Sequence, residues 1–533
     1  MARFRNARTT TLGVAVTALS LFAGARSASA ATTYEVGPGK AYPNVNAVAP
    51  LLQPGDVVLV QGGATYPAVT LERSGTAAAK ITIRGVPVNG KRPSFQGGSD
   101  TIHAAGSHYV FESIDVTGGA NRCFFHHAND ITLRDAVVHD CPSHGVLGAD
   151  DDSGSLRMEY VEVTRSGRGD RLHPIYIATD ERAFPGSTFR MEHCFVHDNV
   201  GGNNVKSRAE RNEIYFNWIE GATYHEIELI GPEGEDPALK REDSDVVGNV
   251  FVQTGGTFMV RVGGDGGGGS SNGRVRFLNN TFVANNGNPI FRLWDALESL
   301  ELHNNVFYAG GRGVSLVDQS RVEWATGRAA IAGTNNWVPE GSALVPSELA
   351  ATLTGRDPRF VAAERRDVRV AEGSPLANAG NPSPQPVAGR AVPAALLAPL
   401  FDPPLRTLER VGSARRRADL ARPSIGAFHL PAPTRAPNGE SPPKGGDTGA
   451  EDPSSSTPSP GDPLGPSGSD APPQGGATGP FLPALGAPYF DTLEQGGCSL
   501  ARTKGGPRSA GAEAMLFAVG LVALGAKARR KKP

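Results

Sequence analysis

Eight short segments of one pattern recur through the middle of the chain and restrict its fold more than any other feature. They are FESIDV from Phe111, LRDAVV from Leu133, MEYVEV from Met158, MEHCFV from Met191, IYFNWI from Ile214, VGNVFV from Val247, FLNNTF from Phe277 and LHNNVF from Leu302. Each opens and closes on an apolar residue, with a further inward slot at its fourth position. Successive starts lie 22, 25, 33, 23, 33, 30 and 25 residues apart. Such a period, with β-type residues, Asn and Gly turns and no helical periodicity between segments, predicts a solenoid whose coils each add a strand. The expected architecture is all-β, a single-stranded right-handed parallel β-helix.

One coil cannot bury its own apolar residues, whereas coils stacked about 4.8 Å apart share a continuous interior. The unequal steps are then loops that leave the coil. Asn217, Asn280 and Asn305 fall in the same slot and should hydrogen-bond up and down a column as stacked amides do. A second run of strands threads between the first: GVLG from Gly145, PIYIA from Pro174, NVKSRA from Asn204, HEIELIG from His225, MVRVGG from Met259 and IFRLWD from Ile290. Side chains alternate in and out along a strand. With Ile175, Val205, Ile227 and Val260 inward, Tyr176, Lys206, Arg208, Glu226, Glu228 and Arg261 point outward, and Arg292 joins them between Phe291 and Leu293. Stacking gathers these side chains into one charged strip.

The flanks are of other kinds. Residues 1–30, with Arg3, Arg5 and Arg8, an apolar run and Ala28-Ser29-Ala30, read as a secretory signal peptide cut after Ala30. A retained membrane helix would need a longer apolar run. Residues 31–108 supply an N-terminal cap, with a helix expected around Val45 to Leu52, and the first coils; solenoid ends need such caps. The repeats occupy 109–311, and an irregular coil with closing strands takes up 312–430. Residues 431–488 form a Pro, Gly and Ser-rich linker that cannot bury enough apolar area to order itself. In 489–533 a Gly-Gly-Cys-Ser stretch containing Cys498 precedes a short apolar run from Ala514 to Ala526 and the basic end KARRKKP. That run is marginal for a membrane span, and its basic end would stay cytoplasmic. Four cysteines are too few for a disulfide scaffold, although Cys123 and Cys141 can pair outside the cell; Cys194 reads as a small buried hydrophobe.

A formal net charge of −2 gives no basic field for nucleic acid. The strip suits β-elimination from an acidic polysaccharide, in which a base removes the proton beside a sugar carboxylate and cations stabilise the enolate-like charge that develops. Lys206 is the candidate base, with Arg208 and Arg261 favouring its free amine by like-charge repulsion. Tyr176 or His173 would protonate the leaving oxygen, while Arg292 and Glu228 would bind substrate. Asn204, Glu226 and Glu228 offer oxygens for a Ca²⁺ set against the substrate carboxylate. The alternative is a non-catalytic glycan-binding or adhesive solenoid whose charges pair off as a solvated ladder. Two further motifs carry little. Asp150 to Asp152 sit in a turn where Asp serves the backbone, and the glycine run from Gly263 to Gly273 lacks the Lys-Ser/Thr ending of a phosphate loop.

From about Thr33 to Leu430 the layout resembles the pectin-lyase-like superfamily of right-handed β-helix proteins, and NVKSRA resembles the Lys-Ser motif of the chondroitinase B and alginate lyase family. That resemblance implies a base at Lys206, an assisting Arg one coil on, and Ca²⁺ held by a neighbouring Asn and Glu pair. Lys206 and Ser207 match the motif; the next coil reads HEIELIG where the family has Arg-His-Gly, and the Glu residues follow the Lys instead of preceding it. The tail is similar to the Myxo-CTERM sorting tails of Gram-negative surface proteins, which implies processing or lipid attachment at Cys498. The chain is therefore expected to be a secreted monomer at the outer cell surface or outer membrane, meeting acidic polysaccharide and touching membrane only through its tail.

Overall fold

Strand Thr33–Val36 pairs in parallel with Val57–Gln61, and the same arrangement repeats coil after coil to Leu353–Gly355. The computed structural model describes residues 30–231, 243–264, 273–294, 296–417 and 420–430, all within one of two units of the chain, Met1–Leu493. The expected signal peptide up to residue 29, the linker, the tail with Cys498 and most of the glycine run lie outside the described residues. Two parallel sheets of 23 and 10 strands hold nearly every strand. This is the right-handed parallel β-helix that the repeats predict, and its coils extend into both flanking segments, 31–108 and 312–430.

The shape of each coil comes from one corner. The third residue of the repeat is left-handed: Ser113, Asp135, Tyr160, His193, Phe216, Asn279 and Asn304 have φ between 49° and 56°, and so is Gly248 at 70°, because register starts the sixth repeat at Val246, one residue before the Val247 that the sequence suggests. Gly, Asn and Asp enter that region readily, and larger side chains at some cost. Tyr160, His193 and Phe216 offset it by stacking, with successive ring centroids 4.8 and 5.5 Å apart. The corner turns the following residue inward. That slot holds Ile114, Ala136, Val161 and Cys194 in the early coils, then Asn217, Asn249, Asn280, Asn305 and Asn336, all fully buried. Each of the first four Asn amides donates to the Oδ1 of the next at 2.9–3.2 Å. The expected column therefore exists and is longer than expected, because Asn249 and Asn336 join it.

Phe251, Phe282 and Phe307 stack through the interior with centroids 5.0 and 5.2 Å apart. Cys123 and Cys141, whose pairing the sequence left open, form a disulfide, and Cys194 is a buried free thiol. The cap differs from expectation. Instead of one helix over Val45 to Leu52 there are two successive 3-10 turns, Val45–Ala47 and Ala49–Leu51. Pro50 brings no N–H to a longer helix and Leu52 leaves the helical region at ψ 138°. Val45, Val48 and Leu52 nevertheless close the end of the apolar interior. After Gly355 the chain returns over the long sheet. Arg366 and Arg406 reach Glu220, and Arg274 and Arg276 donate to the carbonyls of Ala391 and Ala394.

Candidate active site

The ten-stranded sheet runs through Val69–Leu71, Asp100–Ala104, Arg122–His126, His144–Gly148, Ile175–Ala178, Val205–Arg208, Ile227–Ile230, Val260–Gly263, Phe291–Leu293 and Val317–Asp318. Ile175, Val205, Ile227, Val260 and Phe291 stack inward and are fully buried. Their neighbours must therefore face outward. Register sets Tyr176 beside Lys206, Lys206 beside Glu228, Glu228 beside Arg261, Arg261 beside Arg292 and Arg292 beside Asp318. The expected strip is thus the central column of this face, with the Lys206 side chain outside the barrel and 12% exposed. Two columns flank it. One carries His144, His173, Asn203, His225 and Phe258 at or just before the strand starts, and the other Ala178, Arg208, Ile230, Gly263 and Trp294 at or just past their ends.

Glu228 is the hub of the face. Asn203 Nδ2 donates to its Oε2 at 2.6 Å, Arg261 donates to its Oε1, and Lys206 Nζ lies 3.5 Å away. Burial pushes this carboxyl up, but Lys206 and Arg261, joined by His225 and His173, outweigh burial and hold it well below the usual range. One expectation is corrected here: Glu228 occupies the rung between Lys206 and Arg261, so the nearest charge to the ammonium in the column is a carboxylate and not a second cation. Arg208 is 4% exposed, with Nε donating to the Tyr176 hydroxyl at 3.0 Å and Nη1 to the Gly231 carbonyl at 2.6 Å. Lys206 Nζ sits 5.2 Å from the centre of the Tyr176 ring. Tyr176, Lys206 and Arg208 form one cluster.

The histidines are committed to the backbone. His144 Nδ1 accepts the N–H of His173 at 3.1 Å, and His173 Nδ1 accepts the N–H of Asn203 at 2.9 Å, so the neutral rings carry their proton on Nε2. His225 is the reverse, with Nδ1 donating to the Phe258 carbonyl at 3.0 Å. Burial pushes His144 and His225 down to about 4 and His173 well below its ordinary value, where Lys206 adds to the effect. His173 is therefore a neutral donor near pH 7 and does not supply the imidazolium acid that the sequence suggested. Its ring meets Tyr176 edge-on at 5.5 Å.

Glu226 and Asn204 do not join the strip. Glu226 precedes its strand and turns into a corner, where Ala222 N–H and Asn204 Nδ2 donate to its two oxygens at 3.0 and 2.8 Å. Burial pushes its carboxyl up to about 8. Asn204 Oδ1 is taken by Asn199 Nδ2 at 3.0 Å. Calcium needs six or more oxygens turned toward one point. Here Asn204 presents an N–H to Glu226, and the oxygens of Glu226 and Glu228 are engaged by N–H groups on different sides of the strand. Among the described residues no group of three or more His, Cys, Asp or Glu is placed to hold a metal ion. Asn204, Glu226 and Glu228 as they stand do not fit Ca²⁺, and no step below uses it.

Arg292 lies over Phe258 and Trp294, 4.9 and 5.0 Å from their ring centres. Alternation along the strands does not mark Asn203, which ties Glu228 to His173, nor His144, His225 and Trp294. A signal for two of these was legible: SHGVLG, LHPIYIA and YHEIELIG each place His at or near the start of the second strand. Asp152 is the left-handed turn residue expected of its stretch, φ 58°.

No family model and no curated protein matches the chain. Several solved structures are similar to it in outline. Pectate lyase Pel9A is 14% identical over 75% of this chain and 97% of its own, with a TM-score of 0.38. An alginate lyase from Paenibacillus sp. str. FPU-7 is 16% identical over 54% of this chain and 99% of its own, TM-score 0.37. The PL6 family polysaccharide lyase Pedsa3628 from Pseudopedobacter saltans is 12% identical over 64% and 97%, TM-score 0.36. These neighbours are polysaccharide lyases; at such scores the likeness carries no argument about chemistry, which rests on the residues above.

Proposed function

We propose that this chain is a lyase-like enzyme that cleaves an acidic polysaccharide by β-elimination on the face around Lys206. The observation that carries the reading is the cluster itself: Lys206 lies against the Tyr176 ring while Arg208 donates to the Tyr176 oxygen. Lys206, acting as the base, takes the proton from the carbon beside the sugar carboxylate. The C–H electrons become the new C=C bond as the C–O bond to the leaving sugar breaks. Tyr176 gives its phenolic proton to that leaving oxygen, and Arg208 stabilises the phenolate left behind. The proton on Lys206 then returns to Tyr176, which restores both groups. Arg261 and the Nε2–H of His173 supply positive charge and a donor for the enolate-like carboxylate. Arg261 and Asn203 share the charge of Glu228, so Lys206 is not its sole counter-ion. Export and display at the outer surface belong to the same proposal. The Cys123–Cys141 disulfide suits an oxidising compartment.

Incubation with pectate, alginate and glycosaminoglycans, followed by the absorbance of unsaturated sugar ends, tests the reading. At least one polymer should yield them. The Lys206–Glu228–Arg261 pairing favours a second reading, a glycan-binding solenoid. Retention on an acidic polymer with no unsaturated ends from any of them would replace the first by the second.

A further inference from the structure

Towards the N-terminal end of the ten-stranded sheet the central column changes from charges to rings. Register sets His103 beside Phe125, Phe125 beside Leu147 and Leu147 beside Tyr176, so His103 stands four rungs from Lys206, about 19 Å at ~4.8 Å per rung. His127 turns back towards His103: His103 Nε2 and His127 Nδ1 lie 3.3 Å apart, with ring planes 13° and ring centres 5.5 Å apart. The two imidazoles therefore meet edge to edge in nearly one plane, a flat plate joined by an N–H···N bond. Phe125 backs the plate, stacked 4.7 Å from His103 and 4.8 Å from His127. Arg122 lies over the Phe125 ring at 3.8 Å, and its charge is met by Asp100, to which its Nη2 donates at 3.1 Å. Phe125 is buried, while both histidines are partly exposed. Among the described residues no further ring or cation lies on the plate.

Two neutral imidazoles hold two N–H donors and two lone pairs. The shared bond uses one of each, which leaves one donor and one acceptor on the outer nitrogens, His103 Nδ1 and His127 Nε2. Among the described residues neither nitrogen has another hydrogen-bond partner, and neither is buried without one. Burial, and then His127 beside it, push His103 below its ordinary value, which keeps that ring uncharged near pH 7. A pyranose offers the matching surface, a flat run of C–H groups with hydroxyls at its rim. The C–H groups suit the electron-rich face of an aromatic ring, and the hydroxyls suit a donor and an acceptor in the plane of the plate.

We propose that the His103–His127 plate is a sugar-stacking subsite, which takes the C–H face of a pyranose further along the polysaccharide bound at Lys206. The proposal rests on the function proposed above and narrows its substrate. The protein engages an extended chain, and at this point it reads ring shape and hydroxyls with no demand for an acidic group.

The test uses His103→Ala, His127→Ala and His127→Phe, with pectate and alginate oligosaccharides as probes. In a Lys206→Ala background, which removes turnover, calorimetry should show either alanine variant weakening decasaccharide binding about fivefold to tenfold, the loss of one stacked ring with its hydrogen bond. His127→Phe, which keeps the stacking surface without the nitrogens, should fall between. A disaccharide, too short to span four rungs, should bind all these proteins alike. In the cleaving protein KM for the decasaccharide should rise by the same factor. Cleavage that continues with an unchanged decasaccharide KM in both alanine variants would overturn the subsite and leave the lyase reading standing. Absence of cleavage, together with a decasaccharide affinity that depends on His103 and His127, would keep the subsite and remove the lyase reading. An equal loss for disaccharide and decasaccharide would overturn the subsite, since it would mark a change of structure and not a contact four rungs away.

Discussion

The two outer faces of the same coils carry charge in opposite ways. On the long sheet Arg84, Glu112, Arg134, Glu159, Arg157, Glu192, Arg190, Glu213, Arg211 and Asp245 form one continuous ladder in which each cation after Arg84 bridges two carboxylates. Signs alternate along it, and the motif repeats. The ten-stranded face has no such repetition: Tyr, Lys, Glu, Arg, Arg and Asp follow one another in its central column. Two histidines at the outer edge of the long sheet contrast with those beside Lys206, although His193, at the long sheet's corner, is also lowered to about 4 by burial. His139 is raised by hydrogen bonds to Asp115 and Asp140; in His197 burial works downward but Glu162 and Asp198 outweigh it, and the result is again a raised value. His144, His173 and His225 are all driven down by burial and have Nδ1 spent on the backbone. A stacked row of charges is therefore common to both faces and marks no site by itself. What distinguishes the face around Lys206 is its departure from repetition, together with neutral rings held in fixed tautomers.

The sharpest way to break the contrast is Lys206→Ala. Loss of a positioned proton-transfer group should lower the cleavage rate by roughly 10²–10⁴-fold, read as unsaturated ends released below the melting temperature, which should itself fall because buried Glu228 loses one of its two cations. A variant that kept full activity would return the strip to the status of a second ladder.

Acid should separate the buried histidines from the carboxylate-paired ones next. A histidine whose folded value is depressed contributes stability above its unfolded value of about 6.5 that is lost as pH falls toward the folded one. For His144 and His225, both buried and lowered to about 4, that is on the order of 3 kcal/mol each. The raised His139 and His197 behave oppositely: their contribution is complete below about 6.5 and is lost as pH rises through their folded values. Glu226, raised to about 8, also loses stability with rising pH, between about 4.5 and 8. Melting curves should therefore show an acid loss between pH 6.5 and 4 that His144→Gln reduces and His197→Gln does not. Proton NMR should find His144 and His225 still neutral at pH 5, where His139 and His197 are protonated.

Both faces hang on one interior frame, which a third substitution can test. Asn280→Ala removes the acceptor for Asn249 Nδ2 and for its backbone N–H at 3.0 and 2.9 Å. Leaving those donors buried without a partner should cost about 2–4 kcal/mol, seen as a lower denaturant midpoint. Groove activity and ladder integrity should then fall together on heating. Separate transitions for the two faces would show that the coils do not unfold as one.

The coil stacking was legible because burial imposes it: an apolar residue at a fixed slot in every turn leaves few other solutions, and the period of two along each strand set Tyr176, Lys206, Glu228, Arg261 and Arg292 on one face. What escaped was whatever depended on strand ends. Glu226 has the parity of an outward residue but stands before its strand begins, where the N–H groups of Asn204 and Ala222 draw it into the corner. His173 looked like an acid because its neighbours are ionisable, yet one backbone N–H from Asn203 decides its tautomer, and sequence spacing does not encode that bond. Arg321 and Trp294 stand in different coils, yet the Arg321 guanidinium carbon lies 4.3 Å from the centre of the Trp294 ring, a meeting that sequence spacing does not encode. The helix expected in the cap failed for a local reason, the lack of an N–H at Pro50.

The smallest effect belongs to the ladder. Arg190 bridges Glu192 at 2.7 Å and Glu213 at 3.2 Å, with its side chain 34% exposed. Water and salt screen such a pair, and holding a long side chain in place costs entropy, so Arg190→Ala should change stability by no more than about 1 kcal/mol. The remaining cations of the row, Arg157 and Arg211, keep one contact each to Glu192 and Glu213, which limits the carboxylate charge left unopposed. Raising the salt concentration should shrink the difference further, while cleavage by the groove should stay within about twofold of the parent. Denaturant melts at low and high salt, run beside the polysaccharide assay, measure both. A loss of cleavage comparable to that of Lys206→Ala would mean that the ladder takes part in the chemistry, and repetition would then no longer separate structure from site.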